Sequence, residues 1–309
     1  MMTILLFFEQ TLNGLQQGVM LFLMAAGLTL VFGIMHLLNL AHGSLYMVGA
    51  YVCASVTQAT GSFLIGVLAA LGASGATGMV IEVLALRRLY AREHLDQVLA
   101  TFGIILFFNE LVKILWGPQA LFLNPPDILN GTIEVIPGIP YPAYRLFIIA
   151  VGLLVALGMR HLILKTKVGM LIRAGATHRE MVGALGVNID WLYTVVFGLG
   201  AMLAGLAGAM AGPMLAIQVG MGENILILTF VVIIIGGIGS VRGALVGAVL
   251  VGLVDTYGRA FLPMGLREIM EASAADNVAG AVSGMSVYLL MVVVLLFKPT
   301  GLFQAYGSN

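Results

Sequence analysis

Five histidines, one cysteine and fourteen Asp and Glu side chains are the groups of this chain best able to ligate a metal or move a proton. Their spacing serves neither task. His36 and His42 lie six positions apart and do not share a helix face, and His94, His161 and His178 show no metal-ligand spacing. No HExxH, GxSxG or GxxxxGK[ST] sequence occurs, so there is no zinc-protease helix, nucleophile elbow or ATP-type phosphate loop. Cys53 stands alone in an apolar run and is expected to be a buried structural thiol. A different pattern remains: uncharged polar residues and glycines set between long apolar runs. Asn39, His42 and Gly43 fall in one such break (residues 36–43), and Gly236, Gly237, Gly239 and Ser240 in another (residues 236–243). A polar solute crossing lipid needs groups that replace its water, and Asn, His, Ser and glycine-freed backbone can supply them. The two breaks are therefore expected to line a path between them. Plain packing of helical hairpins is the competing reading.

Those breaks are positioned by a membrane-embedded chain. With 61% hydrophobic residues, 9% charged residues and a mean hydropathy of +1.07, the chain has too little polar surface for an ordinary soluble domain. Its 40 glycines suit helices that approach closely in lipid, where packing rather than water exclusion drives association. Zero net charge, with no basic patch interleaved with aromatics, argues against nucleic acid. Residues 1–8 are apolar but lack a basic flank and a small-residue cleavage site, so no cleaved signal peptide is expected.

A helical crossing takes about 20 apolar residues. Residues 18–35, 62–86, 98–116, 144–164, 191–212 and 278–297 fit, and 44–57, 225–235 and 244–257 are shorter apolar runs. The expectation is one all-α polytopic membrane domain, residues 1–309, with about 8–9 transmembrane helices including Gly-rich broken or hairpin segments. Ten of the fourteen Lys and Arg residues cluster in four breaks: Arg87, Arg88 and Arg92; Arg160, Lys165, Lys167, Arg173 and Arg179; Arg242; and Lys298. Cytoplasmic loops retain Lys and Arg, so segment 160–190 is expected inside, the N-terminus outside and the C-terminus inside. Reading 225–257 as a hairpin puts Arg242 and Lys298 inside, although it leaves Arg259 and Arg267 outside. Segment 117–145 carries six prolines and is expected to be an external lid or an inert connector. Of the charges within apolar runs, Glu110 and Lys113 can neutralise each other at i, i+3, and Glu82 lies near Arg87 at the inner surface.

Within 160–190, Thr177 and Glu180 have the spacing of a capping box, which predicts a short helix over 178–185 stopped by Gly186. A short capped helix between two crossings suits a docking element for a cytosolic partner. Its residues are Thr177, Arg179, Glu180, Met181, Gly183, Ala184, Leu185 and Gly186. A helix lying on the lipid surface is the alternative.

Six stretches then carry a family resemblance: GLTLVFGIMHLLNLAHGSLYMVGAYV (27–52), LATFGIILFFNELVKILWGP (99–118), IRAGATHREMVGALGVNID (172–190), FGLGAMLAGLAGAMAGP (197–213), IIIGGIGSVRGALVGAVLVGLVD (233–255) and FKPTGLF (297–303). In these, the sequence resembles the LivH-type permeases of branched-chain amino acid ABC importers. It departs from them at His36 and Leu37, at Val241-Arg242 where Ile-Pro is usual, and at Asp255 where Glu is usual. The resemblance implies a permease subunit of the bacterial inner membrane that moves branched-chain or similar small aliphatic amino acids inward. It implies no catalytic residue, metal or cofactor in this chain, with ATP and Mg held by cytosolic ATPase subunits. A second, LivM-type permease subunit and a periplasmic amino-acid-binding protein are the other implied partners. Wider relatives import urea and short amides, which leaves the substrate open, and a secondary transporter, a channel or a structural membrane protein remain as other readings.

Overall fold

The polar residues 9–17 do not delay the first helix. In the computed structural model, which describes residues 2–35, 37, 39–90, 92–136 and 139–303, helix α1 runs from Met2 to Met35. It thus begins sixteen residues before the stretch of high apolarity at 18–35. The early polar side chains are satisfied by neighbours: Gln17 donates to the Asp255 carboxylate (2.7 Å), Thr11 shares a 2.8 Å hydrogen bond with the Tyr257 hydroxyl, and Tyr141 donates to Asn13 (3.1 Å). At 34 residues α1 is about 51 Å long, well beyond the roughly 30 Å hydrocarbon core.

The remaining helices are α2 (His42–Thr60), α3 (Phe63–Leu84), α4 (His94–Trp116), α5 (Ala143–Lys165), α6 (Lys167–Thr177), α7 (Arg179–Ala184), α8 (Ile189–Ala211), α9 (Met221–Gly236), α10 (Val241–Leu266) and α11 (Ala272–Phe297). Seven of them, α1, α3, α4, α5, α8, α10 and α11, are long and apolar enough to cross a membrane. Helix α9 is apolar but has only 16 residues, and α2, at 19, is more polar. The chain is an all-α polytopic membrane protein with, among the described residues, one small exception in the proline-rich segment. There β1 (Thr132–Ile136) pairs antiparallel with β2 (Ile139–Pro142), and Leu121 bridges to Ile217.

Helix α1 is the axis of the bundle, with Phe22, Leu23, Met24, Ala25, Ala26 and Val31 wholly buried. Helix α8 lies antiparallel to it: Gly27 meets Gly200, and the Tyr193 hydroxyl reaches the carbonyl of Ile34. Helix α10 is antiparallel to α1 on another side, and α5 runs parallel to it with Gly152 against Val19. Cys53 is free and fully buried.

The four basic breaks gather at one end. Glu82, without solvent exposure, receives Arg87 through Nε (3.2 Å) and Nη2 (3.0 Å), the Thr194 hydroxyl (2.6 Å) and the Tyr90 hydroxyl (3.0 Å). Burial first, and then the Glu82 carboxylate, push the Tyr90 phenol well above its ordinary range, so it stays a donor. This cluster ties the end of α3 to the start of α8. Removing Arg87 alone would leave a buried carboxylate without its cation, held only by the Thr194 and Tyr90 hydroxyls. At the same end Arg173 bonds the Ile163 carbonyl, and Leu302 and Phe303 donate to the carbonyls of Ile235 and Gly236 (2.9 and 3.0 Å).

Helices α9 and α10 form an antiparallel hairpin. Gly236 faces Gly243 backbone to backbone, and Gly247 faces Val232 one turn deeper. Residues 225–257 are therefore a hairpin rather than one broken span, with α10 itself 26 residues long. A methyl group on Gly243 would strike the Gly236 carbonyl oxygen, whereas one on Gly103 of α4 meets nothing within 4 Å. Gly243→Ala is expected to lower stability by about 1–3 kcal/mol through overpacking. Gly103→Ala should hold or raise it, by up to roughly 1 kcal/mol. Unfolding midpoints of the two variants in detergent check this, and equal midpoints would contradict the hairpin contact.

Candidate functional site

The break after α1 turns back into the bundle. Asn39 accepts the Ala41 N–H on its side-chain oxygen (3.0 Å) while its backbone carbonyl accepts from His42 (3.4 Å), a local turn that leads into α2. The His42 ring lies beside Gly27, which is eight residues, or about 12 Å, before the end of α1. Helix α2 thus starts at depth. Leu37, Asn39 and Ala41 are buried, which is the condition for irregular backbone in a membrane. The Asn39 amide nitrogen has no hydrogen-bond partner among the described residues, and the His42 ring is fully buried against the Met24 backbone. His36 and Leu38, in the same break, lie outside the described residues.

Gly43 crosses Gly222, so the N-terminus of α2 meets the N-terminus of α9. Gly220, at φ +83°, makes the entry into α9. Glu223, in the first turn of α9, accepts a 2.6 Å hydrogen bond from Asn109 of α4. Two helix N-termini present partial positive charge here, and the carboxylate offsets it. Glu223 is not among the charges that hydropathy places within apolar runs, because the run beside it starts at Ile225. A single acid just after the paired glycines of 220 and 222 is the signal the sequence carries.

Next to this crossing is a groove of about 300 Å³, lined by Tyr46 of α2, by Leu215 and Gln218, and by Asn224, Ile225 and Leu228 of α9. Gln218 and Asn224 put amides on an otherwise apolar wall. Such a lining can hold a small solute with one polar end and one aliphatic end. Helix α4 packs beside α2 and α11 beside α9.

The second break is at the far end of α9. Ser240 caps α10 by accepting the Gly243 N–H (3.1 Å), Gly237 and Gly239 turn the chain at φ +101° and +83°, and Gly239 rests on Gly33. Fourteen residues separate Gly222 from Gly236, about 21 Å of continuous helix. Asn39, His42 and Gly43 are thus not brought together with Gly236, Gly237, Gly239 and Ser240. Helix α9 is a rod with one group at each end.

The basic segment folds differently from the capping-box reading. Thr177 is the last residue of α6 and donates to the Arg173 carbonyl (3.0 Å), and His178 is the N-cap of α7 but makes no side-chain cap bond. A Thr in a final turn is drawn to the i−4 carbonyl, and that removes it as a cap for the next helix. The capped helix is instead α6, where the Thr166 oxygen accepts the Gly169 N–H (3.0 Å). Helix α7 is six residues, 179–184, and Gly186 at φ +85° ends it. Val182 is buried, Arg179 lies 5.4 Å from the Tyr193 ring centre, and Glu180, Gly183 and Ala184 are exposed. Met170 of α6, with Met181 and Leu185, leaves large apolar side chains uncovered.

The family described as branched-chain amino acid transport system / permease component matches residues 10–295. The chain is 29% identical to the high-affinity branched-chain amino acid transport system permease protein BraD of Pseudomonas aeruginosa, covering 96% of this chain and 95% of that one. It is 28% identical to the permease protein LivH of the corresponding system in Escherichia coli K12, with 96% of each covered. The ribose import permease protein RbsC of Escherichia coli K12 is 26% identical across 79% of this chain and 75% of its own length. No solved structure matches. A helical membrane bundle with turned-in breaks, matched along nearly its whole length, belongs to the branched-chain amino acid transport system permease family.

Proposed function

We propose that the chain is the permease subunit of an ATP-driven importer carrying branched-chain or similar small aliphatic amino acids into the bacterial cytoplasm across the inner membrane. In this reading cytosolic ATPase subunits bind ATP and Mg and seat on α6 and α7. A LivM-type permease subunit packs beside the chain, and a periplasmic amino-acid-binding protein delivers substrate at the opposite end. The observation that carries the reading is kinship with named branched-chain amino acid permeases along 96% of the chain. The uncovered Met170, Met181 and Leu185, rimmed by Arg179 and Glu180, support docking, since interfaces join an apolar centre to a polar rim. The shared position of the basic breaks supports a cytoplasmic location for that end.

The path then follows α9. It starts at Asn39, His42 and Gly43 beside the groove of Tyr46, Gln218 and Asn224, and it leaves near Gly236, Gly237, Gly239 and Ser240. The second permease subunit closes the groove over Tyr46, Gln218 and Asn224. Binding along this route is weak, because a tight site would slow release. Kinship with a ribose permease favours including a sugar among the substrates tested.

With the complete transporter in vesicles, uptake of labelled leucine, isoleucine or valine should require ATP and exceed that of urea, acetamide or ribose. Uptake that survives an inactive ATPase would mean a secondary transporter or channel. Asn224→Leu should cut uptake at least tenfold with the ATPase still bound, whereas Leu154→Ala, on the exposed face of α5, should not.

Glu180→Lys and Gly183→Trp should abolish substrate-stimulated ATP hydrolysis while membrane insertion is normal. Thr166→Ala, which removes a cap worth about 1 kcal/mol, should weaken coupling in part. Thr177→Ala should leave it unchanged. Normal coupling in the first two variants would leave α7 as a lipid-surface helix.

For orientation, single cysteines in a Cys53→Ala background are labelled from outside the cell. Position 130 should react and position 173 should not; the reverse pattern inverts the topology.

A further inference from the structure

Arg242 stands where the resembling family usually has Pro, and the proposed transport path makes no use of it. It is the second residue of α10, a position at which the positive end of the helix dipole disfavours a cation. Arg160, on α5, lines the same groove as Arg242. The groove has a volume of about 350 Å³, with Phe22 of α1 as floor and Leu157, Leu245 and Val246 among its walls. No acidic residue lines it, and neither arginine has an ion pair or side-chain hydrogen bond among the described residues. Leu157 and Val246 are exposed, so the apolar wall continues onto the outer surface of the bundle. Arg160 and Arg242 both lie toward the basic end, where α5 and the α9–α10 turn finish.

We propose that this groove holds one anionic phospholipid, its phosphate between Arg160 and Arg242 and an acyl chain along Phe22, Leu157 and Val246. Two guanidiniums give a phosphate charge-assisted hydrogen bonds. The phosphate also relieves the conflict between Arg242 and the α10 N-terminus, because helix N-termini favour anions. An apolar slot capped by cations at the membrane boundary complements a molecule with a charged head and an aliphatic tail. Basic pockets between transmembrane helices select anionic headgroups in this way. A protein surface filling the slot would need an acidic tip on an apolar ridge. The proposal does not depend on which substrate is carried or on which side of the membrane the basic end faces.

The test uses the complete transporter purified in mild detergent, with co-purified phospholipid measured by mass spectrometry. Wild type should retain about one anionic phospholipid per copy of this chain, also after washing with excess inorganic phosphate. The Arg160→Gln/Arg242→Gln double variant should lose at least fivefold of it, and Arg160→Lys/Arg242→Lys should restore part. Leu245→Trp, which fills the slot with both arginines intact, should also expel the lipid. A photo-crosslinking residue at position 246 should gain the mass of a phospholipid. Unchanged retention in the double-Gln variant, displacement by inorganic phosphate, or a crosslink from position 246 to another protein subunit would each overturn the proposal.

Discussion

Hydrocarbon offers a backbone amide nothing to bond, so each turn made at membrane depth has to be walled in by the protein itself. In this chain that constraint acts at the break after α1, where Leu37, Asn39 and Ala41 are buried between helices. It acts again where α9 begins, since Gly222 is in backbone contact with Gly43. Both turns are housed because α1 is long and central, with α5, α8, α9 and α10 packed around it. Glycine lets the surrounding backbones close over the breaks, and any side chain at Gly43 or Gly222 would hold those walls apart.

Charge is handled under the same constraint, in three ways. Glu82 is fully buried and receives Arg87 and two hydroxyls, which joins α3 to α8. Asp255 is paired along its own helix with Arg259 and across to Gln17, which secures the early turns of α1. Glu223 has an amide partner, Asn109, and the dipoles of two helices. In both ion pairs the acid is buried while its arginine keeps contact with solvent, whereas Glu223 is held by an amide and helix ends without a cation. Glu223 also stands next to Asn224, which lines the groove.

Six of the crossings, the α9–α10 hairpin and the nearness of Glu82 to Arg87 were legible in the sequence, because each rests on hydropathy or on local spacing. Three features were not. The first half of α1 was hidden because its amides are satisfied by Asp255 and Tyr141, more than a hundred residues away. Helix α6 was hidden because Lys167 and Arg173 read as loop charge, and because Thr177 fits a capping box as well as an i−4 bond. The contact of Gly43 with Gly222 was hidden because pairing two glycines among forty is a tertiary fact. The two Gly-rich breaks read as the borders of a path, and the length of α9, which lies between them, is what sequence leaves out.

Helix α8 links the end of the bundle proposed for docking to the buried break. At its start Tyr193 lies under Arg179 of α7, and the same hydroxyl reaches the last turn of α1 at Ile34. At its far end Gly205 and Gly208 lie against Gly49 and Tyr46 of α2. A helix is stiff along its axis, and packing this tight leaves little room for side chains to absorb a shift. Displacement of α7 against the bundle must therefore move α8 as a body or break the Arg179–Tyr193 contact. Because Tyr46 lines the groove beside α9, movement of α8 as a body would alter the groove through backbone contacts, without requiring rearrangement of Asn39 or His42.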